Sequence, residues 1–360
     1  MRRMTHACRF ALLLLVLACA ARAEATLDVI AFGDWGAPLV DKGSDGHPTQ
    51  TRLVYQRAVA RAMATWMKEQ HVHPDAAVLL GDNFYGLLKS TDDERFRVNF
   101  TEMYPRAEFP FPFYFVLGNH DYEDGEHRNW KHEMDWHGDD RWRAPVARPG
   151  ATWMRADLPQ ADPLLSLFLV NDVPDGVNRG GRAYGYLGWK DQVSWLDAEL
   201  AKPRSAPWLA AAGHYPPYTN GAHHKDDGPR PAKGPWFNDR PAWDMTRHDL
   251  LAPLAKAGLD FFIGGHDHNL QHLTHPDWPG LDVLVSGAGG GTHPYGRHPL
   301  APKDSFFAKG AGWVHLHFTR QSAEVTFWLV KGLVIEHRAP GHPEPVYHFV
   351  RQAKVVTKAP

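Results

Sequence analysis

Potential metal ligands follow glycine directly at five places along this chain. The five pairs are Gly33-Asp34, Gly81-Asp82, Gly118-Asn119, Gly213-His214 and Gly265-His266. Carboxylate, amide and imidazole side chains are the donors that proteins offer to iron, zinc and manganese, and no thiolate is among them. The pattern therefore predicts a transition-metal site in which no cysteine takes part.

Two further donors extend this set. Tyr85 stands three residues after Asp82, and His268 stands two residues after His266. A phenol ionises only near pH 10, so a divalent ion competes poorly for it, whereas ferric iron can hold it as phenolate. Seven donors exceed the needs of one ion. We therefore expect two ions that share a carboxylate, one of them ferric.

A short apolar run precedes each of the five glycine motifs, and each run is typical of a buried strand. Glycine allows the chain to turn sharply as it leaves a strand. In open α/β sheets, ligands gather beyond the carboxyl ends of the strands, so the five loops are expected to converge. The predicted strands are Asp28–Phe32, Ala76–Leu80, Phe113–Leu117, Trp208–Ala212 and Leu259–Ile263.

Segments with helical spacing alternate with these strands, which predicts an α/β fold with helices covering the sheet. The predicted helices are Thr49–Gln70, Asp92–Met103, Gln192–Ala201 and Met245–Lys256. Near the end, an antiparallel meander is expected over Trp313–Phe318, Glu324–Val330 and Leu333–His337. Two stretches, Glu123–Arg143 and Lys225–Trp243, are interpreted as surface excursions, and no linker divides the chain.

Residues 1–23 have the features of a secretory signal peptide. Arginines lead into the apolar run Ala11–Ala20, and Ala21-Arg22-Ala23 offers a cleavage site, so we expect a single domain over residues 24–360. The apolar run is too short for a membrane span. The protein is therefore expected to be secreted or periplasmic, with lipoprotein anchoring at Cys19 as the alternative. Both cysteines lie in this segment.

The charge balance gives no sign of a polyanionic partner. The chain has 39 Lys+Arg and 41 Asp+Glu; loss of the four arginines in residues 1–23 leaves 35 against 41, a formal balance of −6. A nucleic-acid-binding or anionic-membrane surface is therefore not expected. The sequence leaves the oligomeric state open.

The five motifs resemble those of the calcineurin-like metallophosphoesterases. The position of Tyr85 and the run Gly265–Gln271 most resemble purple acid phosphatases of the short, tartrate-resistant type. The motifs are Gly33-Asp34-Trp35-Gly36, Gly81-Asp82-Asn83-Phe84-Tyr85, Gly118-Asn119-His120-Asp121, Gly213-His214-Tyr215-Pro216 and Gly265-His266-Asp267-His268-Asn269-Leu270-Gln271. The resemblance implies a four-layer α/β metallophosphoesterase sandwich, in which helices flank two mixed sheets.

The same resemblance implies a ligand set and a pair of metals. Asp34, Asp82, Tyr85 and His268 are implied to bind ferric iron, while Asp82, Asn119, His214 and His266 are implied to bind divalent iron, zinc or manganese. Asp82 would bridge the two ions. A purple absorption from Tyr85 bound to ferric iron should follow.

The resemblance also implies the reaction, which is hydrolysis of a phosphate monoester through attack by a metal-bound hydroxide. Two histidines are expected near the metals: His223 as the general acid for the leaving group and His120 as a contact to the phosphate. The neighbouring His224 leaves the assignment of His223 open by one position. Asp121 and Asp267 are expected to orient neighbouring rings. An acid pH optimum and a small phosphate ester or phosphorylated substrate are expected.

Two alternative functions and the role of one glycine-rich run stay open at this point. The same metals would serve a phosphodiesterase or nucleotide hydrolase, which rates on an aryl phosphate and a bis-aryl phosphate would separate. A non-catalytic secreted iron-binding protein is the alternative from another class, although metal storage needs neither His120 nor His223. The run Gly287–Gly291 is either a tight turn or a backbone contact to phosphate, with His293 and Tyr295 just beyond it.

Overall fold

The computed structural model describes residues 24–36, 49–122, 129–173, 188–223, 245–291, 306–334 and 339–354. The predicted signal peptide, the stretch Lys225–Trp243, and His224, His293 and Tyr295 lie outside these residues. Within the described part, the strands form two sheets of seven strands each. No described helix is long and apolar enough to cross a membrane.

The first sheet joins both ends of the described chain. Its strands β1 to β4 are parallel, and β1 pairs antiparallel with β12, which begins the meander β12-β13-β14. The spatial order is β14-β13-β12-β1-β2-β3-β4. The bounds are Leu27–Phe32 (β1), Ala76–Leu80 (β2), Phe113–Val116 (β3), Trp142–Arg143 (β4), Gly312–Phe318 (β12), Ser322–Val334 (β13) and Ala339–Gln352 (β14).

The second sheet has a parallel centre and antiparallel edges. Strands β6, β7, β8 and β10 run parallel, whereas β5, β9 and β11 pair antiparallel with their neighbours. The spatial order is β11-β9-β10-β8-β7-β6-β5. The bounds are Met154–Leu158 (β5), Leu165–Leu169 (β6), Trp208–Ala212 (β7), Phe261–Gly264 (β8), Leu270–Leu273 (β9), Asp282–Ser286 (β10) and Phe306–Ala308 (β11).

Helices cover the outer faces of both sheets. The α-helices are Thr49–Gln70 (α1), Asn129–Asp135 (α2), Trp189–Leu200 (α3) and Ala252–Lys256 (α4). Wider π-helical turns span Phe96–Thr101 and Thr246–Leu251, the second leading directly into α4. The predicted helices Asp92–Met103 and Met245–Lys256 are therefore only partly α-helical.

Alternating side chains of the strands build the layers. Val29 and Ala31 of β1 pack between the sheets with Leu167 of β6 and Ala210 of β7. Phe32 points to the opposite face and belongs to the cluster that contains α1 side chains. A third cluster joins the second sheet to α3 and α4. The predicted sandwich of two mixed sheets flanked by helices is confirmed.

The structure differs from the expected meander in its last strand. Leu333 belongs to β13, which ends at Val334, instead of starting a new strand, and the final strand begins at Ala339. This strand contains Pro340, Pro343 and Pro345, which is a composition that argues against a strand. Because β14 is the edge of its sheet, its outer side needs no N–H donors, and proline is tolerated there.

The excursion Glu123–Arg143 is also more structured than expected. Residues 129–135 form α2, and Trp136 and Trp142 are buried rather than solvated. Trp136 stacks on Phe96 at a ring distance of 4.6 Å, and Trp142 lies 4.4 Å from Phe115. The indoles are therefore part of the core beside the first sheet.

Candidate metal centre

Loops from both sheets meet at the carboxyl ends of the parallel strands. Backbone hydrogen bonds hold them together: Gly33 donates to Ser286 at 2.7 Å, and Asp34 donates to Gly81 at 3.0 Å. The Gly265 N–H donates to the His214 carbonyl at 2.9 Å. The convergence that the five strand ends predict is thus present in the structure.

Three of the predicted ligands form one cluster. The Tyr85 hydroxyl lies 3.1 Å from His268 Nε2 and 3.4 Å from Asp34 Oδ1. His268 Nε2 and Asp34 Oδ1 are 3.2 Å apart. All three side chains are buried, although they come from three different motifs. Their polar atoms surround a common point, as ligands of one ion would.

A second cluster contains Asp82, Asn119 and His214. His214 Nε2 lies 3.0 Å from Asn119 Oδ1 and 3.4 Å from Asp82 Oδ1. His214 Nδ1 lies 2.8 Å from the carbonyl of Leu80, which can only accept a hydrogen bond. Nδ1 therefore carries the proton in the neutral ring, and the lone pair on Nε2 points at the cluster.

The two clusters adjoin. Donor atoms of Asp34, Asp82 and His214 all lie within 4.8 Å of one another, and all three residues are buried. The ring of His266 is centred 5.1 Å from that of His214, and its main-chain N–H donates to Asp34 Oδ2 at 2.8 Å. Hard oxygen donors and imidazoles in this arrangement fit a site for iron, zinc or manganese.

Three of the predicted ligands have a strained backbone. Asp34, Asp82 and His266 have φ values of 58°, 49° and 66°, in the left-handed region that non-glycine residues rarely occupy. Among the described non-glycine residues, only His71 shares this property. Such conformations cost about 1–3 kcal/mol each and persist where the surrounding structure enforces them. Their concentration at the ligands indicates a functional site.

Glycine is required at several positions because the ligands pass so close. A Cβ on Gly118 would lie 2.2 Å from Asp82 Oδ1, and one on Gly265 would lie 2.7 Å from Asp34 Oδ2. Gly287, the first residue of the glycine-rich run, would also place a Cβ 2.7 Å from Asp34 Oδ2. The beginning of that run therefore packs against a ligand loop.

Neighbouring imidazoles stabilise the charged form of Asp82. Burial raises the pKa of this carboxyl, but the nearby His214 and His120 and the His120 N–H, which donates to Asp82 Oδ1 at 2.9 Å, leave the pKa below its usual value. Asp82 is thus an ionised carboxylate of the second cluster beside the first, which suits a bridging ligand.

The two predicted catalytic histidines border the clusters. His120 Nε2 lies 3.9 Å from Asp82 Oδ2, and its ring is centred 4.5 Å from that of Tyr85. The ring of His223 is centred 3.9 Å from that of His266. Both histidines are partly exposed, which suits side chains that meet a substrate.

Asp121 and Asp267 hold main-chain groups at this site. Asp267 accepts the His223 N–H at 3.1 Å, and Asp121 accepts the Gly118 N–H at 2.7 Å. From the sequence we expected these two carboxylates to orient imidazole rings. Both contacts are instead to main-chain N–H groups.

Sequence reasoning missed two buried carboxyl groups behind the ligands. Asp172 follows β6 and accepts the N–H groups of His214 at 2.8 Å and Tyr215 at 3.2 Å. Glu133 is fully buried and accepts a hydrogen bond from the side chain of Asn83 at 3.0 Å. The five motifs were recognised by a glycine before the ligand, and no glycine precedes Asp172. The signal that remains for Asp172 is a carboxylate shortly after an apolar run.

Comparison with known proteins agrees with this geometry. Residues 27–270 match the family model described as calcineurin-like phosphoesterase. The chain belongs to the calcineurin-like phosphoesterase family. As a member of that family it is a metal-dependent phosphatase, and the predicted recognition and enzyme class are confirmed.

Relatives of this phosphoesterase are named as acid phosphatases. Purple acid phosphatase 17 of Arabidopsis thaliana is 27% identical over 332 residues, which cover 88% of this chain and 84% of the relative. Tartrate-resistant acid phosphatase type 5 of Rattus norvegicus is 29% identical over 296 residues, which cover 80% of this chain and 80% of the relative. A solved structure of GAP50, the anchor in the inner membrane complex of Plasmodium, shares the fold with a TM-score of 0.63 at 17% identity; the match covers 92% of this chain and 90% of that one.

Proposed function

We propose that this phosphoesterase is a secreted or periplasmic acid phosphatase that hydrolyses phosphate monoesters at a binuclear centre. The first cluster, with Asp82, would hold ferric iron, and the second cluster, with His266, would hold divalent iron, zinc or manganese. The observation that carries the proposal is the contact between the clusters, where donor atoms of Asp34, Asp82 and His214 lie within 4.8 Å. The names of the relatives support the acid phosphatase activity.

The chemistry of the donors supports two ions of different charge. Two carboxylates and the phenolate of Tyr85 carry three negative charges, whereas a ferric and a divalent ion carry five positive charges. The difference favours binding of a phosphate dianion. When bound, such ions polarise the phosphoryl oxygens and lower the pKa of water to generate the attacking nucleophile.

Residues of the chain provide the remaining steps. His223, whose ring packs against that of His266, would give a proton to the leaving alkoxide. His120, whose ring is centred 4.5 Å from that of Tyr85 and whose Nε2 lies 3.9 Å from Asp82 Oδ2, would donate a hydrogen bond to a phosphoryl oxygen. Because the acid must be protonated at the start of each turnover, we expect an acid pH optimum.

Metal analysis together with a visible spectrum of the purified protein tests the centre. We expect two metal ions per chain, one of them iron, and a purple absorption that disappears in Tyr85→Phe. The variant Asp82→Ala should lose both ions and nearly all hydrolysis. Retention of both ions in that variant would rule out a bridging role for Asp82.

Rates on two substrates test the reaction. We expect faster hydrolysis of an aryl phosphate than of a bis-aryl phosphate, with a pH optimum below neutrality. Preference for the diester would replace the proposal with a phosphodiesterase. Full metal content without turnover of any phosphate ester would instead support a non-catalytic iron-binding protein.

A further inference from the structure

A pair of buried carboxyl groups, Asp121 and Glu133, lies directly behind the ligand loops. Glu133 is on α2, outside every motif of the sequence analysis, and both side chains have no exposed surface. Both carboxyl groups accept a hydrogen bond from the side-chain amide of Asn83, Glu133 at 3.0 Å and Asp121 at 3.4 Å. Two charged carboxylates would not remain buried beside the same amide, so this arrangement requires an explanation.

Asp121 fastens two ligand loops to each other. Its carboxylate accepts the N–H groups of Gly118 at 2.7 Å, Phe84 at 3.2 Å and Asn83 at 3.3 Å. Asn83 and Phe84 lie between the predicted ligands Asp82 and Tyr85, and Gly118 precedes the predicted ligand Asn119. The position of Asp121 thus sets the spacing of ligands from two loops.

The surroundings of Glu133 favour its uncharged form. Within the described residues, no N–H or O–H group donates to Glu133 Oε1. Burial raises the pKa of Glu133 well above its usual range, and the charge of Asp121 raises it further. Glu133 is therefore a neutral acid.

Helix α2 also holds the rest of the Asp82 loop. Glu133 Oε2 accepts the side-chain N–H of Asn83 at 3.0 Å, directly after Asp82. One turn earlier on the helix, Asn129 Oδ1 accepts the Leu88 N–H at 2.9 Å, and its amide donates to the Gly86 carbonyl at 2.8 Å. Asn129 and Glu133 are four residues apart, so both face this loop.

We propose that Glu133 is a positioning residue for the metal centre, which from α2 holds Asn83 beside Asp121 and so fixes the loops that carry Asp82, Tyr85 and Asn119. This inference rests on the proposed function, because it assigns Glu133 to the same site. Partners of this kind, which do not touch the metal, typically contribute 10-fold to 100-fold to metal affinity or activity.

Two substitutions of Glu133 test the proposal first. Glu133→Gln keeps an acceptor for the Asn83 amide, whereas Glu133→Leu keeps the approximate size and removes the acceptor. Gln56→Leu is the matched control, because Gln56 is equally buried and its amide donates to the Asn99 carbonyl at 2.8 Å. The protein is loaded with ferric iron and zinc, and the measurements are the rate of zinc transfer to a chelator and the position of the Tyr85-to-iron absorption.

We expect Glu133→Leu to release zinc about 10-fold to 100-fold faster and to shift the absorption maximum. Glu133→Gln should resemble the wild type in both measurements. Gln56→Leu should lower the unfolding temperature without altering release or absorption. Wild-type release and absorption in Glu133→Leu, or failure of Glu133→Gln to resemble the wild type, would overturn the inference.

If Glu133→Leu does not fold, Glu133→Asp decides, since its carboxyl group is one methylene shorter and loses the 3.0 Å contact to Asn83. Faster zinc release in this variant supports the inference, and release at the wild-type rate overturns it. A wild-type chain that binds no metal would overturn the proposed function together with the inference. A wild-type chain with two ions, and variants that hold them equally well, would overturn the inference alone.

Discussion

Replacement of Gly118 by alanine should displace the predicted bridging ligand without removing any donor atom. The added Cβ would lie 2.2 Å from Asp82 Oδ1 and 2.3 Å from the Asp82 main-chain nitrogen. An ordinary contact needs about 3.4 Å, so Asp82 and Gly118 must move apart by roughly 1 Å. A displacement of this size costs about 100-fold in rate when it misplaces reacting groups. Overpacking should also cost about 1–3 kcal/mol of folding free energy.

The control for this variant is Gly138→Ala. Its Cβ would meet the buried indole of Trp136 at 2.8 Å, so it produces a clash away from the predicted ligands. We expect both variants to unfold at lower temperature, but only Gly118→Ala to lose metal and about 100-fold in kcat/KM on an aryl phosphate. Full metal content and wild-type kcat/KM in Gly118→Ala would refute the reasoning, because Asp82 would then tolerate the displacement.

Three further substitutions probe the ligands and the fold. Tyr85→Phe should abolish the visible absorption but leave the zinc content unchanged, as metal analysis would show; a retained band would exclude the phenolate as its source. Asp172→Ala should lower the free energy of unfolding by about 1–3 kcal/mol, because the buried N–H of His214 loses its acceptor; unchanged denaturant unfolding would contradict this. Burial raises the pKa of Asp93, but hydrogen bonds from Arg95 outweigh burial and leave this pKa at about 2. The contribution of the Asp93 carboxylate to folding stability is therefore present above about pH 4 and disappears as the pH falls through about 2. The loss of thermal stability in Asp93→Asn should therefore shrink between pH 5 and pH 2, and a constant loss would contradict the assignment.

The strands that carry the ligands could be predicted because they are buried on both faces. Ala76–Leu80 and Trp208–Ala212 have the predicted bounds, and their residues are all buried. A central parallel strand must be apolar throughout, and a glycine with a polar residue marks its end. In these segments the local sequence and the surroundings in the fold require the same residue types.

Other elements depend on neighbours that the local sequence does not reveal. The prolines of β14 are compatible with a strand only because that strand is an edge. Trp136 and Trp142 pack on Phe96 and Phe115, which lie far from them in sequence. Without those partners, a segment rich in tryptophan, histidine and acids has the composition of a surface loop.

The predicted ligands also hold one another through hydrogen bonds that no spacing rule reveals. Asp34 accepts the main-chain N–H of His266, 232 residues away, and Asp82 accepts that of His120. Asp34, Asp82 and His266 all have left-handed backbones, which persist only while such contacts enforce them. The loss of one carboxylate would therefore release the strained backbone of a second loop as well as a donor atom. Interactions of this kind make the effects of substitutions non-additive, so the site should respond to them as a unit.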